Sequence, residues 1–206
     1  MIYKHRHGMQ FDQSLIPLQD SAGKWASAYF ENDNPIILEV PCGKGDYALS
    51  LAELFFDKNL IGVDIDQNKI WQGARDASRN QLTNIAFLNV PAIEIGKYFI
   101  ESEIDEIWIT FPDINTKDNL VSPEHIRLYN KVLKPGRHIR LKTQDDEFLE
   151  IAKVNFESDG FKTDKLVRDI YGQEQTEPIL KIKTAYEIEC LAVGNKIHYL
   201  SLVKEV

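Results

Sequence analysis

Short apolar runs alternate along this chain with longer stretches whose apolar positions recur at helical spacing. The runs predict strands at 36–40, 59–64, 85–89, 106–111, 137–143, 162–168 and 196–203. The stretches between them predict helices at 46–56, 67–80, 93–100, 123–133, 145–158 and 184–193. A further helix over Ser21–Glu31 would place Trp25, Ala28 and Tyr29 on one face, Lys134-Pro135-Gly136 reads as a turn, and 169–183 reads as irregular. Strand–helix units repeated in this way predict an α/β fold. Its sheet would be doubly wound, mostly parallel and seven-stranded, with an antiparallel last strand. No Gly/Ser-rich linker or internal repeat divides the chain, so residues 1–19 (with a turn at Pro17) are expected as an arm and 20–206 as one domain.

A sheet of this kind binds ligands beyond the carboxyl ends of its strands. The first apolar run there, Ile36 onward, reads I-I-L-E-V-P-C-G-K-G and breaks after Glu39 into a loop holding Gly43 and Gly45. Asp46 is placed to cap the following helix. About twenty residues on, L-I-G-V-D ends in Asp64, an acid able to accept both hydroxyls of a ribose. Together they point to a nucleoside-containing cofactor. The dinucleotide fingerprint is absent, because Pro41 stands where its first glycine belongs, and so is the phosphate-cradling G-x-x-x-x-G-K-[ST]. Acids on both sides of a loop not built for pyrophosphate suit S-adenosylmethionine, with its ammonium, sulfonium and ribose diol. Taken alone, Gly43 and Gly45 also fit a tight turn with no ligand. Asn89, Asp113, Thr143 and Asp145 likewise fall at or just past strand ends.

Composition narrows the class. The 206 residues are 43% hydrophobic and 27% charged, as in a soluble globular protein, and no apolar run is long enough for a membrane span. The start, M-I-Y-K-H-R-H, lacks a signal core, so the expected location is the cytoplasm. Cys42 and Cys190 lack metal-ligand spacing and read as free thiols; no metal site is expected. The net charge of −8 argues against generic nucleic-acid binding, yet Lys117 to Lys142 carries seven Lys or Arg against two acids. That stretch is either a solvated surface or a phosphate-contacting one.

The strand I-W-I-T-F-P-D opens into a loop at Asp113. A carboxylate there suits methyl transfer to a neutral ring nitrogen, which attacks with its lone pair and becomes cationic, so the acid stabilises developing charge. An Asx turn at Asp113 is the purely structural reading. Thr184 followed by Glu187 is a capping box.

In this order, I-L-E-V-x-x-G-K-G, I-G-V-D, I-T-F-P-D, V-L-K-P-G, L-K-T-x-D and T-x-Y-E resemble the bacterial tRNA (guanine-N7)-methyltransferases. G-K-W, N-D-N-P and G-N-K-I-H-Y-L extend the resemblance from about Gly23 to Leu202. It implies a Rossmann-like class I methyltransferase fold, S-adenosylmethionine as cofactor and tRNA as partner, acting as monomer or homodimer. Matched residue by residue, it implies cofactor contacts from Glu39 and Asp64; Gly43 and Gly45 of the loop and Asn89 at its strand end complete the expected cofactor set. Asp113 is implied at the transfer site, and Lys117, Asp145, Thr184 and Glu187 against the substrate. Asp145 matches with a shift of one, since Gln144 intervenes. This chain departs from the pattern at Pro41, at Pro91 in place of an acid, at Ala185, and in the short, nearly neutral I-N-T-K-D-N-L-V after Asp113. Two alternatives therefore stand beside guanine-N7 methylation of tRNA: a same-fold methyltransferase for a less anionic acceptor, and a non-catalytic cofactor-binding relic.

Overall fold

The computed structural model describes residues 2–6, 9–12, 20–112, 119–173 and 176–205. Its strands are β1 (Ile2–Arg6), β2 (Met9–Asp12), β3 (Ile36–Glu39), β4 (Asn59–Asp64), β5 (Ile85–Asn89), β6 (Ile104–Thr110), β7 (Leu133–Thr143), β8 (Phe161–Val167) and β9 (His198–Lys204). Helices α1 (Asp46–Leu54), α2 (Gln67–Arg79), α3 (Pro123–Val132), α4 (Asp146–Ser158) and α5 (Ala185–Ala192) connect them. The strands form one sheet in the order β2-β1-β5-β4-β3-β6-β7-β9-β8. The seven expected strands form its contiguous part. β3 to β7 pair in parallel, and β9 runs antiparallel to both of its neighbours. The backbone of 2–6 and 9–12 adds an antiparallel hairpin, with Ile2 opposite Leu88 on β5. Pro17 lies outside the described residues.

Every residue of β3 and β4 is buried, as a sheet covered on both faces requires. Successive side chains alternate between two cores. Leu38, Ile107 and Ile109 face α3, α4 and Trp25; Ile37, Leu60 and Trp108 face α1, α2 and Tyr199. Burial of these side chains at roughly 25 cal/mol per Å² is what fixes the strands relative to one another.

Three expected elements differ. The helix expected from Ser21 is only a wide turn, Trp25–Phe30, closed by Glu31 in the left-handed region at φ 59°. Trp25 anchors it, donating from Nε1 to the Tyr98 carbonyl at 2.8 Å and stacking on Phe99 at 5.4 Å. The 93–100 helix is a short, tight one over Ala92–Lys97. The turn at 134–136 is absorbed into β7 as a register shift opposite β6, with Gly136 at φ 72°.

From β3 the chain winds outward to β4 and β5, then returns to β6 on the other side of β3. Between the carboxyl ends of β3 and β6 lies the switch point, where such sheets open a crevice.

Candidate functional site

Glu39 closes β3 at that point and is 2% exposed. Its Oε1 accepts from the Thr110 hydroxyl at 2.5 Å and its Oε2 from the Ala48 N–H at 3.0 Å. Burial pushes its pKa up to about 8; the two hydrogen bonds oppose the rise, and the Asp46 and Asp64 charges add to it.

The loop after Glu39 is tied to both neighbouring strands. Val40 N–H donates to Trp108 O and Cys42 N–H to Val63 O, each at 2.9 Å. Pro41 sits between these two bonds, so its missing N–H leaves no ladder position unpaired. Gly43 (φ 55°) donates its N–H to Asp64 Oδ2 at 2.8 Å, and a Cβ there would meet nothing within 4 Å. Gly45 (φ 77°) packs against Phe87, where a Cβ would lie 2.4 Å from the ring. Asp64 Oδ1 accepts from the Asp66 N–H at 2.8 Å. Asn89 braces this turn, donating to the carbonyls of Asp64 and Ile65 at 3.0 and 2.9 Å.

Asp46 does not cap α1; Gly45 holds the cap position, and Asp46 is the first helical residue. Its Oδ2 instead accepts from the Ala185 N–H at 2.8 Å, fastening α1 to α5 across 139 positions. Thr184 caps α5, accepting from the Glu187 N–H at 3.0 Å.

These parts surround a cleft of about 960 Å³. Glu39, Gly43, Asp64 and Thr184 line it, together with Thr110, Phe111, Gln144, Tyr186 and Glu189. Gly45, Asn89, Asp145 and Glu187 are not in its lining. Asp145 caps α4, accepting from the Phe148 N–H at 2.7 Å. Gln144 takes its place in the cleft, donating from Nε2 to the Tyr186 hydroxyl at 3.1 Å, while its Oε1 is buried with no partner among the described residues. Glu187 is fully buried, with Oε2 2.7 Å from Lys142 Nζ and Oε1 accepting from the Tyr171 hydroxyl at 2.7 Å. Lys142 also donates to the carbonyls of Leu180 and Ile182 at 3.2 and 3.0 Å, and burial lowers its pKa against the pull of Glu187. Asp113 and Lys117 lie outside the described residues; Pro112 and Leu120 both line the cleft.

Sequence reasoning missed Thr110, Gln144 and the Lys142–Glu187–Tyr171 group. The clue for Gln144 was its position at the end of β7, one residue ahead of the helix cap. Most cations of 127–142 are engaged by acids of the same molecule. Lys134 and Arg137 pair with Asp105, Arg127 with Asp159, and Arg140 with Glu106, because β7 carries most of them away from the cleft into contact with acids. Cys42 and Cys190 are buried free thiols, and burial pushes the Cys42 thiol well up, away from the thiolate a nucleophile needs.

Residues 33–200 match the family model described as "Putative methyltransferase". The tRNA (guanine-N(7)-)-methyltransferase of Porphyromonas gingivalis is 36% identical over 203 residues, covering 95% of this chain and 83% of the relative. Its namesake in Bacteroides fragilis is also 36% identical, covering 89% of this chain and 74% of the relative. Among solved structures, the 16S rRNA methyltransferase KamB superposes with a TM-score of 0.73 at 13% identity over 100% of both chains. An antibiotic-related methyltransferase gives 0.68 at 17% identity, over 86% of this chain and 91% of the other. At those identities the two structures establish the fold alone, which is that of an α/β methyltransferase. With its fold, its cleft and its near-full-length relatives in agreement, this chain belongs to the tRNA (guanine-N(7)-)-methyltransferase family.

Proposed function

We propose that this protein transfers a methyl group from S-adenosylmethionine to N7 of guanine in tRNA, in the cytoplasm. The observation that carries the reading is Glu39, buried at the switch point in the lining of the cleft, its pKa pushed up by burial. The donor set fits the cofactor: Glu39 suits its positive groups, Asp64 keeps lone pairs beyond its two N–H bonds for a ribose diol, and the bare backbone of Gly43 leaves room beside them. Gly45 and Asn89 act at one remove by shaping the loop. When bound, the sulfonium supplies the methyl and takes the electrons of its C–S bond as the guanine N7 lone pair forms the new N–C bond.

The chain's own residues position and stabilise. Asp113, which follows Phe111 and Pro112 in the sequence, is assigned to balance the positive charge that grows on the ring. N7 carries no proton, so no strong base is needed. Thr184 opens the opposite wall, and Lys117 is assigned to the tRNA backbone. Asp145 and Glu187 serve the substrate indirectly, one by starting α4 and the other by locking the α5 wall through Lys142. Residues 20–206 act as one methyltransferase domain, to whose sheet strands β1 and β2 of the 1–19 arm are added.

The test is incubation with unmodified tRNA and S-adenosylmethionine labelled in its methyl group, followed by chain cleavage at N7-methylguanine. Label at a discrete guanine is expected. Failure to label tRNA under conditions where the protein binds the cofactor would overturn the substrate assignment.

A further inference from the structure

With a net charge of −8, this protein can attract a polyanion only through cations concentrated at the site, because exposed charges are screened beyond about 8–10 Å at physiological salt. Within the basic stretch, Arg127, Lys134 and Arg137 are already paired with acids. Lys44 and Lys69 differ: both are exposed, both line the cleft, and neither meets a carboxylate among the described residues. They come from separate elements that touch closely. A Cβ on Gly73 of α2 would lie 2.6 Å from the Lys44 carbonyl, and Lys69 is one helical turn before Gly73 on the same face. Exposed Lys183 immediately precedes Thr184 of the cleft lining and holds its Nζ 4.8 Å over the Tyr171 ring. The Asp46–Ala185 hydrogen bond ties the start of α5, just past Lys183, to the residues just past Lys44.

The acids nearby form no ion pair with these lysines among the described residues and are engaged elsewhere. Glu39 is buried, Asp64 accepts two backbone N–H groups, and Asp46 accepts one from α5. Glu189 is the exposed acid of the lining and sits on the α5 wall. A rim that is cationic around an acidic floor sorts its ligands by charge: a small cationic cofactor goes inside and an anionic strand lies across the top.

We propose that Lys44, Lys69 and Lys183 receive the backbone phosphates that flank the target base. This inference rests on the reading of tRNA as substrate. A strand held there would present its base to the cleft beside Phe111 and Tyr186, whose rings pack edge-on at 5.5 Å. The contacts are ammonium-to-phosphate and carry no sequence information; they place the strand.

The experiment measures tRNA affinity against salt for the full chain and for Lys44→Gln, Lys69→Gln, Lys183→Gln and the triple variant. Each lost phosphate contact lowers the slope of log K against log[salt] by about 0.7–0.9, so the triple variant should lose about 2–3. Arg127→Gln and Lys134→Gln, on the internally paired stretch, should leave the slope where it was. Calorimetry with S-adenosylmethionine and a melting curve accompany each variant. Single variants keep the test readable where the triple melts early. An unchanged slope in a wild-type background that binds and methylates tRNA overturns the inference and spares the function. Weakened cofactor binding with an unchanged slope also overturns it, and assigns the lysines to the cofactor's carboxylate. A wild-type chain that neither binds nor methylates tRNA brings down both.

Discussion

On the proposed reading, Glu39 should make cofactor binding a proton-linked event. With its pKa at about 8, the carboxyl is roughly 90% protonated at pH 7, and a cation bound beside it favours the ionised form. Binding S-adenosylmethionine at pH 7 should therefore release close to one proton. Affinity should rise about tenfold per pH unit over the pH range below 8 where the carboxyl must still ionise. Calorimetry in two buffers of different ionisation enthalpy counts the proton directly, and Glu39→Gln should abolish both the release and the pH slope. The same shift sets a sign for stability. Between the ordinary carboxyl range and about pH 8 the folded protein holds one more proton than the unfolded chain, so stability conferred by neutral Glu39 falls as pH rises through that window. Binding without proton release, at an affinity flat from pH 6 to 8, would refute the argument that burial dominates this carboxyl.

Three other changes probe separate parts of the site. Glu187→Leu strands the buried Lys142 ammonium and should cost about 3–5 kcal/mol in urea denaturation, whereas adding Lys142→Met should recover part of that loss. Gly45→Ala forces a side chain to φ 77° against Phe87 and should cost about 2–4 kcal/mol by the same measurement, with cofactor affinity falling as the loop shifts. Asp113→Ala should remove methyl transfer in single-turnover assays while calorimetric cofactor affinity changes little; undiminished transfer would take Asp113 out of the mechanism.

Much of the framework was readable along the chain because its signals are local. β4 and β5 occupy the residues expected of them, and β3 and α1 start where expected, since each is an unbroken apolar or amphipathic run beside a glycine turn. The wide turn at 25–30 was not readable: Trp25 is held by the Tyr98 carbonyl, 73 positions away, and that bond outweighs helical periodicity. The N-terminal strands were missed for a related reason, because pairing on an open sheet edge leaves little trace in the pattern of the strand that joins it.

The sequence alone determined the class of fold, the glycine loop and the two strand-end acids, because periodicity and turn chemistry act between near neighbours. Tertiary structure decided which polar groups face the cleft. At the end of β7, Gln144 points inward and Asp145 turns back to cap α4, and no local rule chooses between adjacent residues at a strand–helix junction. Glu187 looked like a ligand until Lys142 and Tyr171 were seen to occupy it. A buried charge must find its partner wherever packing places one, and here the partner Lys142 lies 45 positions away, on another element.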